Sequence, residues 1–185
     1  MIYIDDNIGD FDLDAALKAV STERRAYAMK YVHQLDRRLS VASFLLLKRA
    51  LSLEWGLDSV PPFVYDSSGK PQLEGHPDIH FNLSHCRQAV ACVVGRNPVG
   101  IDVECIESLD HGVLAMTMSP IEQERIAASP LPEVEFTRLW TMKESLYKLT
   151  GQYRDKDIRL MLEDSACYHF HTTVYPRFIC TVCTP

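Results

Sequence analysis

Residues 79–104 read IHFNLSHCRQAVACVVGRNPVGIDVE. Two strands are expected here, Ile79 to Ser84 and Ala89 to Val94, followed by a Gly95-Arg96-Asn97-Pro98 turn. A third short strand then runs from Val99 to Glu104. Alternation puts Phe81 and Leu83 on one side of the first strand, with Asn82 and Ser84 on the other. In the third strand Asp102 and Glu104 share a face, opposite Ile101 and Val103.

Outward from this block the periodicity changes to that of helices. Val41, Leu45 and Leu46 sit at near-helical spacing in a helix expected from Leu39 to Leu53, with Lys48 and Arg49 near its C-terminal end. Gly56 and Pro61-Pro62 stop it. Before it, Ser21 or Thr22 can cap a helix carrying Glu23 in its first turn, and Ile2 to Ile4 reads as a short strand. The stretch from Asp5 to Asp10 is acidic and irregular, and residues 60–80 are rich in turns. On the other side, Ser119-Pro120-Ile121-Glu122 starts a helix, and a strong helix from Phe136 to Leu149 closes at Gly151. The tail, Ile158 to Cys183, reads as strands with turns near Asp164 and Pro176. Strands and helices in this order make an α+β fold rather than a repeated βαβ unit. The segments 80–94 and 167–183 both look like hairpins, a hint of internal duplication.

A chain of 185 residues can bury roughly 70% of its unfolded surface without a staple. Six cysteines are therefore no disulfide framework: Cys86, Cys92, Cys105 and Cys167 sit among apolar neighbours and read as small packed residues, and the lone Cys180-x-x-Cys183 would need partner ligands to hold zinc. No apolar run has the length of a membrane span, and Met1 to Asp14 lacks the order of a secretory signal, so a cytoplasmic protein is expected. The net charge of -6 argues against nucleic-acid binding. Residues 23–49 nevertheless hold seven basic residues against two acidic ones, net +5. That strip is either a solvated face or a surface for phosphate or an acidic protein.

Three motifs carry chemistry. In Gly100-Ile101-Asp102-Val103-Glu104 two carboxylates side by side repel unless a cation offsets them, and their oxygens suit Mg²⁺. The alternative is a solvated pair at a strand end. In Trp140-Thr141-Met142-Lys143-Glu144-Ser145-Leu146-Tyr147-Lys148, Trp140, Glu144 and Lys148 form one helical stripe. That stripe either supplies a third carboxylate beside Asp102 and Glu104 or is surface decoration. In Phe81-Asn82-Leu83-Ser84-His85 the hydroxyl and imidazole suit a phosphate, or else satisfy a turn.

Together, and in this order, the three motifs resemble the signatures of the 4'-phosphopantetheinyl transferase superfamily, most closely its surfactin-synthetase-activating branch. Gly69-Lys70-Pro71 and Ser119-Pro120-Ile121-Glu122 are lesser matches, the latter with Met118 where the family usually has an aromatic residue. The resemblance implies a pseudo-dimer of two similar lobes, each a small antiparallel sheet packed by a long helix. The N-terminal lobe would span residues 1–100 and the C-terminal lobe 101–185, with the active site in the cleft between them. It implies transfer of the phosphopantetheine arm of coenzyme A to a serine of an apo acyl or peptidyl carrier protein, releasing adenosine 3',5'-bisphosphate.

Carried over by resemblance, Asp102, Glu104 and Glu144 would bind Mg²⁺. Glu144, Lys148 and Asp102 would be catalytic, Lys148 offsetting charge on the phosphates. The coenzyme A contacts would be Arg38 (or Arg37), Lys70, Ser84, His85, Lys143 and Lys148. The base would be Glu144 or a metal-held water, with Glu122 acting through water as the alternative. A monomer is expected. A carrier- or coenzyme-A-binding module without activity, or another Mg²⁺-dependent phosphotransferase or pyrophosphatase acting on coenzyme A, are the competing readings.

Overall fold

The structure, a computed structural model, describes residues 1–151 and 157–185. It has two lobes built to one plan. The first begins with strand β1 (Ile2–Asp5), passes through helices α1 (Leu13–Ala19), α2 (Thr22–Ala28) and α3 (Gln34–Trp55), and adds a small hairpin, β2 (Phe63–Tyr65) with β3 (Pro71–Leu73). It closes with the hairpin of β4 (His80–His85) and β5 (Val90–Gly95). The second begins with β6 (Gly100–Cys105) and passes through α4 (His111–Thr117), α5 (Pro120–Ala127) and α6 (Pro132–Thr150). It closes with β7 (His169–Val174) and β8 (Phe178–Thr184). In each lobe the opening strand pairs antiparallel with the second arm of the closing hairpin, giving the orders β1-β5-β4 and β6-β8-β7. The fold is a two-lobed α+β architecture of small antiparallel sheets packed by helices.

The run Val90-Ala91-Cys92-Val93-Val94 explains how the lobes join. Its even members, Val90, Cys92 and Val94, are buried with Leu46, Leu47 and Leu51 of α3. Its odd members, Ala91 and Val93, are buried with Ile101 and Val103 of β6 and Cys180 and Val182 of β8. A strand covered on both faces reads as a continuous apolar run, and this one is covered by its own helix and by the other lobe. On β8, Cys183 packs instead with Leu146 and Met161, so Cys180 and Cys183 enter separate cores.

The two long helices extend beyond the stretches expected for them, and each ends on a left-handed glycine, Gly56 (φ 67°) or Gly151 (φ 70°). The start at Ser119 is a full capping box with Glu122. Two short helices were not expected. No element is read between the acidic stretch of Asp5 to Asp10 and the cap at Ser21, or between Glu104 and Ser119, yet α1 and α4 form there. Each is seven residues long, too short to show a periodic face, and each is capped by an aspartate, Asp12 accepting from the Ala15 N–H and Asp110 from those of Gly112 and Val113. In the tail, residues 158–160 form a 3₁₀ turn rather than a strand, and the strands begin only at His169. Among the described residues no helix is long and apolar enough to cross a membrane.

Candidate active site

Strand β4 meets β6 along the junction of the lobes, and the polar face of Asn82 and Ser84 makes that seam. Asn82 Oδ1 accepts from the Ile101 N–H at 2.9 Å, and Ser84 Oγ accepts from the Val103 N–H at 3.2 Å. Ser84 Oγ also donates to Asp102 Oδ1 at 2.9 Å. Ser84 is buried, so its hydroxyl serves the seam rather than an open surface.

Helix α6 crosses the same strand. Lys148 Nζ donates to Asp102 Oδ1 at 2.7 Å and to Ser84 Oγ at 2.9 Å. Asp102 is 2% exposed, and its second oxygen, Oδ2, is buried without a hydrogen-bond partner among the described residues. A buried carboxylate oxygen left unpaired is costly unless something occupies its lone pairs. Glu104, two residues along on the same face, is half-buried. Desolvation and the Asp102 carboxylate push its pKa up to about 7, with Glu144 acting in the same direction, against a hydrogen bond from Trp140 and the charge of Lys148. The structure thus brings Asp102, Glu104, Glu144 and Lys148 into one electrostatic neighbourhood.

His85 stands at the exposed end of β4. Partial desolvation and then the Lys148 ammonium hold its pKa below the ordinary value. With Arg24, Tyr27, Phe44 and Tyr65 it lines a cavity of about 760 Å³ in the first lobe. Lys70 and Lys148 line a smaller cavity of about 150 Å³ with Asn82 and Tyr147, and Pro71 borders both. Lys70 Nζ donates to the Val99 carbonyl at 2.9 Å, and desolvation lowers its pKa.

A family model described as the 4'-phosphopantetheinyl transferase superfamily matches residues 98–181, from the start of β6 into β8. A 4'-phosphopantetheinyl transferase of Bacillus subtilis is 30% identical over 154 residues, covering 82% of this chain and 69% of that protein. The chain belongs to the 4'-phosphopantetheinyl transferase superfamily. The 4'-phosphopantetheinyl transferase Sfp of Bacillus subtilis (strain 168) is 27% identical over 200 residues, covering 98% of this chain and 89% of that protein. The 4'-phosphopantetheinyl transferase AcpT of Salmonella typhimurium is 33% identical over 121 residues, covering 62% of this chain and 60% of that protein.

Against the roles that membership in this transferase family suggests, the residues divide. Asp102, Glu104, Glu144, Lys148, Ser84 and His85 lie together. Lys143, expected among the coenzyme A contacts, is not brought to them: it is 0% exposed, and its ammonium donates to Glu122 Oε2 at 2.7 Å and to the carbonyls of Thr117, Ile158 and Arg159. Lys148 stands five positions further on, which turns the two side chains well over 90° apart on one helix. Glu122, the alternative base, is buried, with Oε2 held by both Lys143 and the Ser119 N–H at 2.8 Å. Arg37 donates to the Tyr31 carbonyl at 2.8 Å, whereas Arg38 Nε is buried without a partner among the described residues.

The motifs did not reveal two contributors. Arg24, counted only as one charge of the basic strip, turns its guanidinium over the rings of Tyr27 and Phe44 at the wall of the large cavity and donates to Ser40. Asn82 fixes the seam through a backbone amide. The basic strip carried a signal for the first, and the Asn-x-Ser spacing one for the second.

The donor set fits Mg²⁺. Every candidate ligand is a carboxylate, Asp102 Oδ2 is an orphaned buried oxygen, and the mutual repulsion felt by Glu104 is what a divalent cation would relieve. Among the described residues no three His, Cys, Asp or Glu side chains converge as a ready-made cage. Mg²⁺ ordinarily uses one or two carboxylates with waters and substrate phosphates, so it needs no such cage.

Proposed function

We propose that the protein is a surfactin-synthetase-activating-type transferase that moves the 4'-phosphopantetheine arm of coenzyme A onto a serine of an apo acyl or peptidyl carrier protein. The observation that carries this is Asp102. One of its oxygens is held by Lys148 and Ser84 while the other is buried and unpaired among the described residues, beside Glu104 and Glu144. Asp102, Glu104 and Glu144 would hold Mg²⁺. Bound there, it would offset the charge of the coenzyme A pyrophosphate and make its phosphorus open to attack.

The chain's own residues account for the rest. Lys148 is a cation already held at the carboxylate, placed to offset charge as the phosphate–phosphate bond breaks and adenosine 3',5'-bisphosphate leaves. The carrier serine must lose its proton as it attacks. Glu144 is the favoured acceptor, because Glu122 Oε2 is committed to Lys143 and Ser119. Arg24 and His85 on the large cavity, Lys70 beside Lys148, and Arg38, whose Nε has no partner among the described residues, would supply cationic or donor groups for coenzyme A phosphates. Arg24 faces that cavity, which leaves exposed Arg25 and Lys30 to attract an acidic carrier domain. The transferase would act as a monomer.

The test is direct. The protein is incubated with coenzyme A, Mg²⁺ and several apo-carrier proteins, and intact carrier mass is measured. A phosphopantetheine adduct is expected on at least one carrier. Its absence from every competent carrier overturns the assignment.

A further inference from the structure

We propose that Cys86 and Cys105 form a peroxide-oxidisable dithiol that crosslinks the two lobes as a disulfide. The pairing follows from the seam. Asn82 binds the amide of Ile101 and Ser84 that of Val103, so the two strand edges advance together two residues at a time. The next step sets Cys86, just beyond β4, against Cys105 at the end of β6. The two side chains are neighbours at the rim of the core shared between the lobes, Cys86 within it and Cys105 packed against it.

The two sulfurs differ in access. Cys86 is 8% exposed, and Cys105 is half-buried. The exposed Arg87 pairs with Glu107, two residues beyond Cys105, and Cys105 is the sulfur nearer the surface. Burial pushes the Cys86 thiol up to about 12, so it is not the thiol that meets peroxide first. In the first step hydrogen peroxide oxidises the Cys105 thiol to a sulfenic acid, and the peroxide's second oxygen leaves as water. In the second, Cys86 Sγ attacks the Cys105 sulfur; the S–S bond forms, the S–O bond breaks, and the hydroxyl departs as water with the Cys86 proton. Two electrons pass from the thiol pair to one peroxide, and two waters result. The crosslink fixes the strand ends that carry His85 and Glu104, each the immediate neighbour of one cysteine.

The experiment uses the full chain, reduced and then freed of reductant, with chelator present. One equivalent of hydrogen peroxide is added, free thiols are alkylated, and the protein is digested without reduction for mass spectrometry. The expected product is a peptide pair joined through Cys86 and Cys105, lighter by two hydrogens than the two reduced peptides. Dithiothreitol should dissolve it, and the oxidised protein should melt at a higher temperature than the reduced one. Cys86→Ser should leave a Cys105 sulfenic acid that dimedone traps. The wild-type peptide map needs no variant, so a Cys86→Ser protein that fails to fold leaves the proposal falsifiable. Recovery of Cys86 and Cys105 both alkylated overturns it, as does a disulfide on Cys167 with this pair still free.

Discussion

Gly100 lies so close to Ser145 that a Cβ on the glycine would stand 2.0 Å from the Ser145 carbonyl oxygen and 2.6 Å from the Leu149 amide nitrogen. The obstacle is backbone on both counts, so no side chain can swing aside. This approach sets β6 against α6 and lets Lys148 reach Asp102. Gly100→Ala should force the strand off the helix, destabilising the protein by about 1–3 kcal/mol in urea denaturation. Transfer to carrier should fall with it, because the Asp102–Lys148 pair separates. An unchanged urea midpoint would contradict the contact.

Lys143 is an internal strut of the second lobe. Removing one member of a buried ion pair strands the other, so Lys143→Met should cost about 3–5 kcal/mol. Adding Glu122→Gln should recover part of that loss, since glutamine keeps the capping contact to Ser119 without stranding a charge. Urea denaturation of the single and double variants measures the difference. Equal stability of the two would show that the pair is not coupled.

Asp102→Asn removes the charge but keeps the shape. Transfer should drop by roughly 100-fold or more, the equivalent of several kcal/mol of lost electrostatic stabilisation. Far-UV circular dichroism should be unchanged. Mg²⁺ should raise the melting temperature of the wild type and leave that of the variant where it was. A variant that still responds fully to Mg²⁺ would remove Asp102 from the ligand set.

Glu104 makes metal-free stability depend on pH. Its folded pKa of about 7 stands above the ordinary 4.5, so between those values the folded protein binds more protons than the unfolded chain. Stability from this group is therefore full below about 4.5 and is lost as the pH rises through about 7, by up to about 3 kcal/mol. In chelator, Glu104→Gln should flatten that stretch of the stability–pH curve. Parallel curves for the two proteins would place the Glu104 carboxyl in an ordinary environment.

The sequence by itself determined the elements that local chemistry controls. Alternation set Asp102 and Glu104 on one face, Asn82 and Ser84 on another, and helical spacing aligned Trp140, Glu144 and Lys148. Glycine stops at Gly56 and Gly151 and the cap at Ser119 marked where helices end and begin. The two short helices stayed hidden because seven residues show no periodic face, and α2, equally short, was legible only through its cap at Ser21. Periodicity gives the face a side chain shares but never what covers that face, and tertiary structure alone decided this. It sent Lys143 into the second lobe and Lys148 to Asp102, though both stand in one motif. It buried the Ser84 hydroxyl in a seam, turned Arg24 to a cavity wall, and brought Cys86 against Cys105. The seam and the cysteine pair depend on the register of β4 against β6 across the lobe junction, the two lysines on that of α6 within the second lobe, and Arg24 on the packing of α2 against α3 in the first. Contacts between residues far apart in the chain fix all of these, and local sequence carries no record of them.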